Sequence, residues 1–139
     1  MAGATDELKK RTQRFALGVI RLVDRLPKTR VADVIGRQLA RSGTSVGANY
    51  RAACRARSAA EFIAKMGIVE EEADETIYWL ELLIEAEILQ RGEVSELLRE
   101  ADQLLAMTVA SIRTARKNSR GTEVSHSALR TPHSALENA

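Results

Sequence analysis

Apolar residues in this chain recur every three or four positions over long stretches, the spacing that places them on one side of a helix. Leu8, Phe15, Val19, Leu22, Val23 and Leu26 share a side. They predict a helix over 6–26, ended by Pro27, because proline cannot extend a helix and restricts the residue before it. Thr29 has the chemistry of a cap for a second helix over 30–56. Ser58, with Glu61 three residues on, forms a capping box for a third helix over 58–89, and Gly92 punctuates its end. A fourth, over 93–117, points Val94, Leu97, Leu98, Ala101, Leu105, Val109 and Ile112 inward. Short connections force neighbouring helices to run antiparallel. The expectation is an all-α, antiparallel up-and-down four-helix bundle over residues 1–117. Residues 118–139 lack sustained apolar periodicity and carry "HSAL" twice; they are expected to form a disordered, flexible C-terminal tail.

The second helix has an unusual lining. Val31, Ile35, Gln38, Ser42, Ser45, Asn49 and Ala52 follow alternating steps of four and three, the a/d seam of a coiled coil. The middle of that seam, Gln38, Ser42, Ser45 and Asn49, is polar. Buried polar groups must find partners or each costs about 1–3 kcal/mol. Thr12, Thr76, Thr108 and Ser111 are the candidate partners. Such a network fixes the register of a bundle; a polar pocket for a small ligand is the competing reading. The small residues Ser42, Gly43, Ser45, Gly47 and Ala48 also let a neighbouring helix approach closely.

The 139 residues are 45% hydrophobic and 29% charged, as befits one globular domain with a core of its own. A single cysteine, Cys54, excludes an internal disulfide and fits a reducing compartment. No apolar run reaches the ~20 residues of a membrane span, and the opening residues lack the apolar stretch of a secretion signal. The expected location is cytoplasmic, away from membranes.

The net charge of +2 conceals a segregation. Residues 1–57 hold 13 basic groups against 4 acidic, residues 58–90 one against nine, and the remainder seven against six. On the second helix Arg30, Arg37, Arg41, Arg51 and Arg55 share an outer face; Lys9, Lys10, Arg11, Arg14, Arg21 and Arg25 add charge on the first. Three readings of the basic face stand side by side: RNA or DNA phosphates, the acidic third helix of a neighbouring subunit, or a solvated surface. Ile68, Tyr78, Trp79 and Leu82 give the third helix a second apolar side, which predicts a homo-oligomer interface.

No constellation for catalysis emerges. Both histidines lie in the tail, and Cys54 has arginine neighbours but no partnered base. The run "EEEADE" over 70–75 lacks the Glu-x-x-His pattern of di-iron bundles. No Gly-rich phosphate loop is present. No catalytic residue, metal, cofactor or small-molecule substrate is expected.

Residues 37–89 carry Gln38-Leu39-x-Arg41-Ser42, then Ser45-x-x-x-Asn49, then Arg57-Ser58-x-x-Glu61-Phe62, and a Glu-rich turn from Glu70 leading to Trp79-Leu80-Glu81. This pattern resembles the bacterial four-helix bundle family that is also named for 23S rRNA intervening sequences. Many members read Asn-Ile-Ala-Glu-Gly where this chain has Asn49-Tyr50-Arg51-Ala52-Ala53, so the resemblance is to a branch with Asn-Tyr-Arg and Glu-Glu-Glu-Ala-Asp-Glu. It implies a helical bundle assembled as a ring, often a pentamer, with no established enzymatic activity.

Overall fold

Three of the four helices begin where the sequence supplies an oxygen for the amides at the helix start. The structure, a computed structural model, describes residues 2–137, with side chains described over residues 3–121. It contains α1 (Ala2–Asp24), α2 (Arg30–Cys54), α3 (Ala59–Glu85) and α4 (Arg91–Glu137). The Thr29 hydroxyl accepts from the Ala32 amide at 3.2 Å to open α2. The Ser58 hydroxyl accepts from the Glu61 amide at 3.1 Å to open α3, while the Glu61 carboxylate reaches back to the Arg57 amide. At α4, Glu93 accepts from the Gln90 amide at 2.8 Å. Each cap is worth about 1 kcal/mol.

The end of α3 differs from the sequence expectation. The helix stops at Glu85 instead of running to residue 89. Glu87 takes φ 60°, the Ile88 amide donates to the Leu83 carbonyl and the Glu87 amide to the Ile84 carbonyl, both at 3.0 Å. This is a Schellman ending with glutamate in the left-handed position where glycine is usual. It turns Ile88 and Leu89 back onto the core, and α4 starts at Arg91. The first helix begins earlier than expected and ends at Asp24. The backbone of α4 is helical through Glu137, and the side chains expected to form a flexible tail, with both "HSAL" segments, lie outside the described residues beyond Gly121.

Consecutive helices pack as neighbours, with α2 against α3 the most extensive pair, then α3 against α4 and α1 against α2. The closing seam, α1 against α4, is the sparsest. Phe15, Val19 and Leu22 of α1 meet Leu39 and Val46 of α2, Met66, Val69, Leu80 and Leu83 of α3, and Val94, Leu104 and Ile112 of α4 in one core. Full burial of each large side chain contributes about 1.5–3 kcal/mol.

Glycines set the α1–α2 spacing. A Cβ on Gly43 would lie 2.7 Å from a methyl of Val19, and one on Gly47 would lie 3.1 Å from the Thr12 hydroxyl. The buried arc of α2 is therefore centred on Leu39, Gly43 and Val46, turned from the seam that spacing alone suggests. Val31, placed on that seam by its position, is exposed in the first turn.

Candidate interaction surfaces

The polar seam of α2 resolves into one crossing contact and several local ones. Ser42 is fully buried, whereas Gln38, Ser45 and Asn49 are half-buried at the α3 side of α2, which corrects the expectation of four buried polar residues. The Ser42 and Thr76 hydroxyls lie 3.0 Å apart. Each carries one proton. Thr76 can donate to the Glu72 carbonyl at 2.7 Å while accepting from Ser42, or donate to Ser42 while Ser42 donates to the Leu39 carbonyl at 3.3 Å. The other polar side chains satisfy themselves on their own helix: Ser45 on the Arg41 carbonyl, Asn49 on the Ser45 carbonyl, Thr12 on Lys9 and Thr108 on Leu104. Among the described residues, no buried side-chain polar atom lacks a partner. Chemically, this seam orients α2 on α3.

The four arginines of α2 and Arg55, which caps it, fall into two groups. Arg37 pairs with Asp33 at 3.1 Å on the same helix, both exposed. Arg41 reaches across to α3, where it bonds Glu72 at 3.2 Å and also Glu75. Hydrogen bonds from Arg41 and then from the Trp79 indole hold the Glu75 carboxyl below the usual carboxylate range. Arg30, Arg51 and Arg55 are exposed and make no ion pair among the described residues. The basic face expected from sequence is thus interrupted at its centre by intrachain pairs.

On either side of these ion pairs, α2 and α3 expose apolar side chains. Tyr78 is 55% exposed, Val31 58%, Val34 57% and Ile68 36%; Trp79 and Leu82 are half-buried. The Trp79 indole donates to Glu75 at 3.1 Å, and its ring meets Tyr78 edge-on with centroids 4.9 Å apart. Arg41, Glu75 and Trp79 thereby form a clasp that holds the indole beside Tyr78. Sequence spacing identified Ile68, Tyr78, Trp79 and Leu82 as a second apolar side. It missed Val34, which stands 57% exposed on α2.

Two clefts flank the sparse α1–α4 seam. The larger, about 750 Å³, is lined by Arg14, Arg21 and Arg25 of the α1 side and Glu93 and Glu96 of α4. Arg11 bridges the seam to Glu100 and Gln103, and bonding to Glu100 raises its pKa. The second, about 660 Å³, lies near the start of α1 and is lined by Leu8, Tyr50, Cys54, Phe62 and Met107 among others. Burial, and then a hydrogen bond involving Cys54, push the Tyr50 phenol up to about 12. Among the described residues no three His, Cys, Asp or Glu side chains are grouped to hold a metal, and no helix is long and apolar enough to cross a membrane.

A family model described as 23S rRNA-intervening sequence protein matches residues 6–110. The chain is also similar to a protein of unknown function from the S23 ribosomal protein family of Bacteroides thetaiotaomicron, known from a crystal structure at 1.70 Å. The two are 36% identical with a TM-score of 0.71, over 75% of this chain and 96% of that one. No curated protein matches the chain.

Proposed function

The chain belongs to the 23S rRNA-intervening sequence protein family, and from that premise we propose that it is a non-catalytic helical-bundle protein that works as a homo-oligomer. The observation that carries this reading is the set of exposed apolar side chains on α2 and α3. Val31, Val34, Ile68 and Tyr78 stand open to solvent, Trp79 and Leu82 are half-buried, and the Tyr78 ring meets that of Trp79. Exposed apolar side chains with aromatic anchors, set around the Arg41–Glu75 clasp, are the anatomy of a protein interface. A ring of five subunits, the number the family resemblance implies, is the expected assembly, and the cytoplasm its expected location. The non-catalytic part rests on how the interior hydroxyls are used. Ser42, Thr76, Thr12 and Thr108 are bound to backbone carbonyls or to each other, with no base bonded to them among the described residues. The test is solution mass by light scattering. I68D/Y78D, with helicity intact by circular dichroism, is expected to run as a monomer while the wild type runs as an oligomer; equal masses would refute the interface.

A second reading is supported by Arg30, Arg51 and Arg55, which are exposed without ion pairs among the described residues. On this reading the assembled protein is an adaptor that binds RNA or DNA phosphates. Generic RNA and DNA should then bind with an affinity that falls steeply with salt, by a slope of about −0.7 to −0.9 per phosphate contact. R51E/R55E should weaken binding for all sequences alike. Salt-independent binding, or none, removes this reading and leaves the assembly.

A further inference from the structure

The outer faces of α1 and α3 carry matching stripes. On the α1 side these are Lys10, Arg14, Leu17, Arg21 and Arg25, the last just past the end of the helix. On α3 they are Glu71, Asp74, Tyr78, Glu81 and Glu85. All ten residues are exposed. Leu17 and Tyr78 are among the few large hydrophobic side chains standing in solvent, and none of the eight charges makes an ion pair among the described residues. The steps between successive residues are 4, 3, 4 and 4 on α1 and 3, 4, 3 and 4 on α3.

We infer that these stripes are the two halves of one contact: α1 of one copy docks along α3 of a second copy, with both helices pointing the same way. This rests on the self-assembly reading above and names the partner surface. In an up-and-down bundle α1 and α3 share a direction, so neighbouring copies stand in the same orientation. Lys10 then falls beside Glu71, Arg14 beside Asp74, Leu17 on Tyr78, Arg21 beside Glu81 and Arg25 beside Glu85.

The sidedness agrees with that polarity. On the α1 side Arg14, Arg21 and Arg25 line the cleft toward α4, and at 100° per residue Ile20 falls on the other side of Leu17. On α3, Trp79 lies on the α2 side through its bond to Glu75, which Arg41 holds. Leu82, one turn on, lies to the same side of Tyr78, and at 100° per residue Asp74, Glu81 and Glu85 fall on the opposite side. Helices docked in the same direction bring basic to acidic and Ile20 to Leu82; the reverse direction sets the arginines against Leu82 and Trp79. Because α1 and α3 occupy opposite corners of the bundle, the contact is heterologous and repeats from copy to copy. It closes into a ring where the rotation permits. Charge complementarity of this kind fixes register and excludes the wrong pairing. One competitor for the basic groups is present in the same chain: Arg14, Arg21 and Arg25 also line the α1–α4 cleft opposite Glu93 and Glu96, with no ion pair formed across it.

Sedimentation of the full chain at moderate salt tests the contact. R14E/R21E is expected to weaken self-association by about tenfold or more, D74R/E81R likewise, and the four changes in one chain to restore it. Restoration also guards against a variant that merely misfolds. If the wild type associates but both double variants associate equally well, the docking of α1 on α3 is wrong while self-assembly stands. A wild type that stays monomeric at every concentration overturns both. Rescue of R14E/R21E by E93R/E96R, and not by D74R/E81R, assigns the arginines to the α1–α4 cleft and overturns the contact.

Discussion

Gly43 offers the sharpest test of the packing, because two effects of known size oppose each other there. Replacing an interior helical glycine with alanine gains about 1 kcal/mol from helix propensity alone. At Gly43 the new Cβ would sit 2.7 and 2.8 Å from the two methyls of Val19 and 3.0 Å from its Cβ. Val19 is fully buried, and a β-branched side chain in a helix has essentially one rotamer. The clash therefore cannot be relieved by rotation, and α1 must move away from α2. Overpacking of this kind costs about 1–3 kcal/mol. Since both methyls and the Cβ are struck, the upper half of that range applies, and G43A is expected to be less stable by about 1–2 kcal/mol net. Gly67, inside α3, has nothing within 4 Å of an added Cβ, so G67A should keep the propensity gain and be more stable by about 0.5–1 kcal/mol. Urea and thermal denaturation at one fixed protein concentration measure both. The two midpoints should move in opposite directions, by about 2–6 °C per kcal/mol for a chain of this size. If G43A matches or exceeds G67A, the close approach of α1 to α2 is not as described.

Three further outcomes are expected. E87G should raise stability by up to about 1 kcal/mol in denaturant melts, because glutamate at φ 60° closes α3 where glycine carries no Cβ penalty; destabilisation would show that Glu87 has another task. T76V keeps the shape but removes the hydroxyl that meets Ser42, and should cost about 1 kcal/mol; no loss would mean the crossing contact contributes nothing net. For Glu75, whose folded carboxyl is held below its ordinary value by Arg41 and Trp79, the stabilisation is present above the ordinary carboxylate range. It is lost as pH falls through the depressed folded value. The acid limb of a melting-temperature profile should flatten in E75Q, and an unchanged limb would remove the clasp as a contributor.

Much of this architecture is legible in the residues. Thr29, Ser58 and Pro27 mark helix ends by chemistry that needs no tertiary partner, and the apolar stripes name most of the core. The end of α3 is not legible, because a left-handed closing residue is signalled by glycine, and here the only nearby glycine, Gly92, lies inside the first turn of α4. The direction of the α2 seam is hidden for a different reason. Spacing reports how often a helix meets its neighbours but not which way it is turned, and Gly36, Gly43 and Gly47, which add no apolar weight, mark the side that faces α1. Arg41 looks like a member of an open basic face until the pairing of α2 with α3 places Glu72 and Glu75 beside it. The stripes on α1 and α3 were present in the charges all along. Their relation depends on knowing that both face outward and run in one direction.

The most direct measurement is the mass of the unmodified protein in solution, by sedimentation equilibrium over a wide concentration range. The expected result is a closed oligomer whose dissociation is promoted by salt, because the contact joins an apolar centre to a ladder of exposed charges. A single species at the 15.3 kDa of one chain, unchanged at high concentration and low salt, would contradict it.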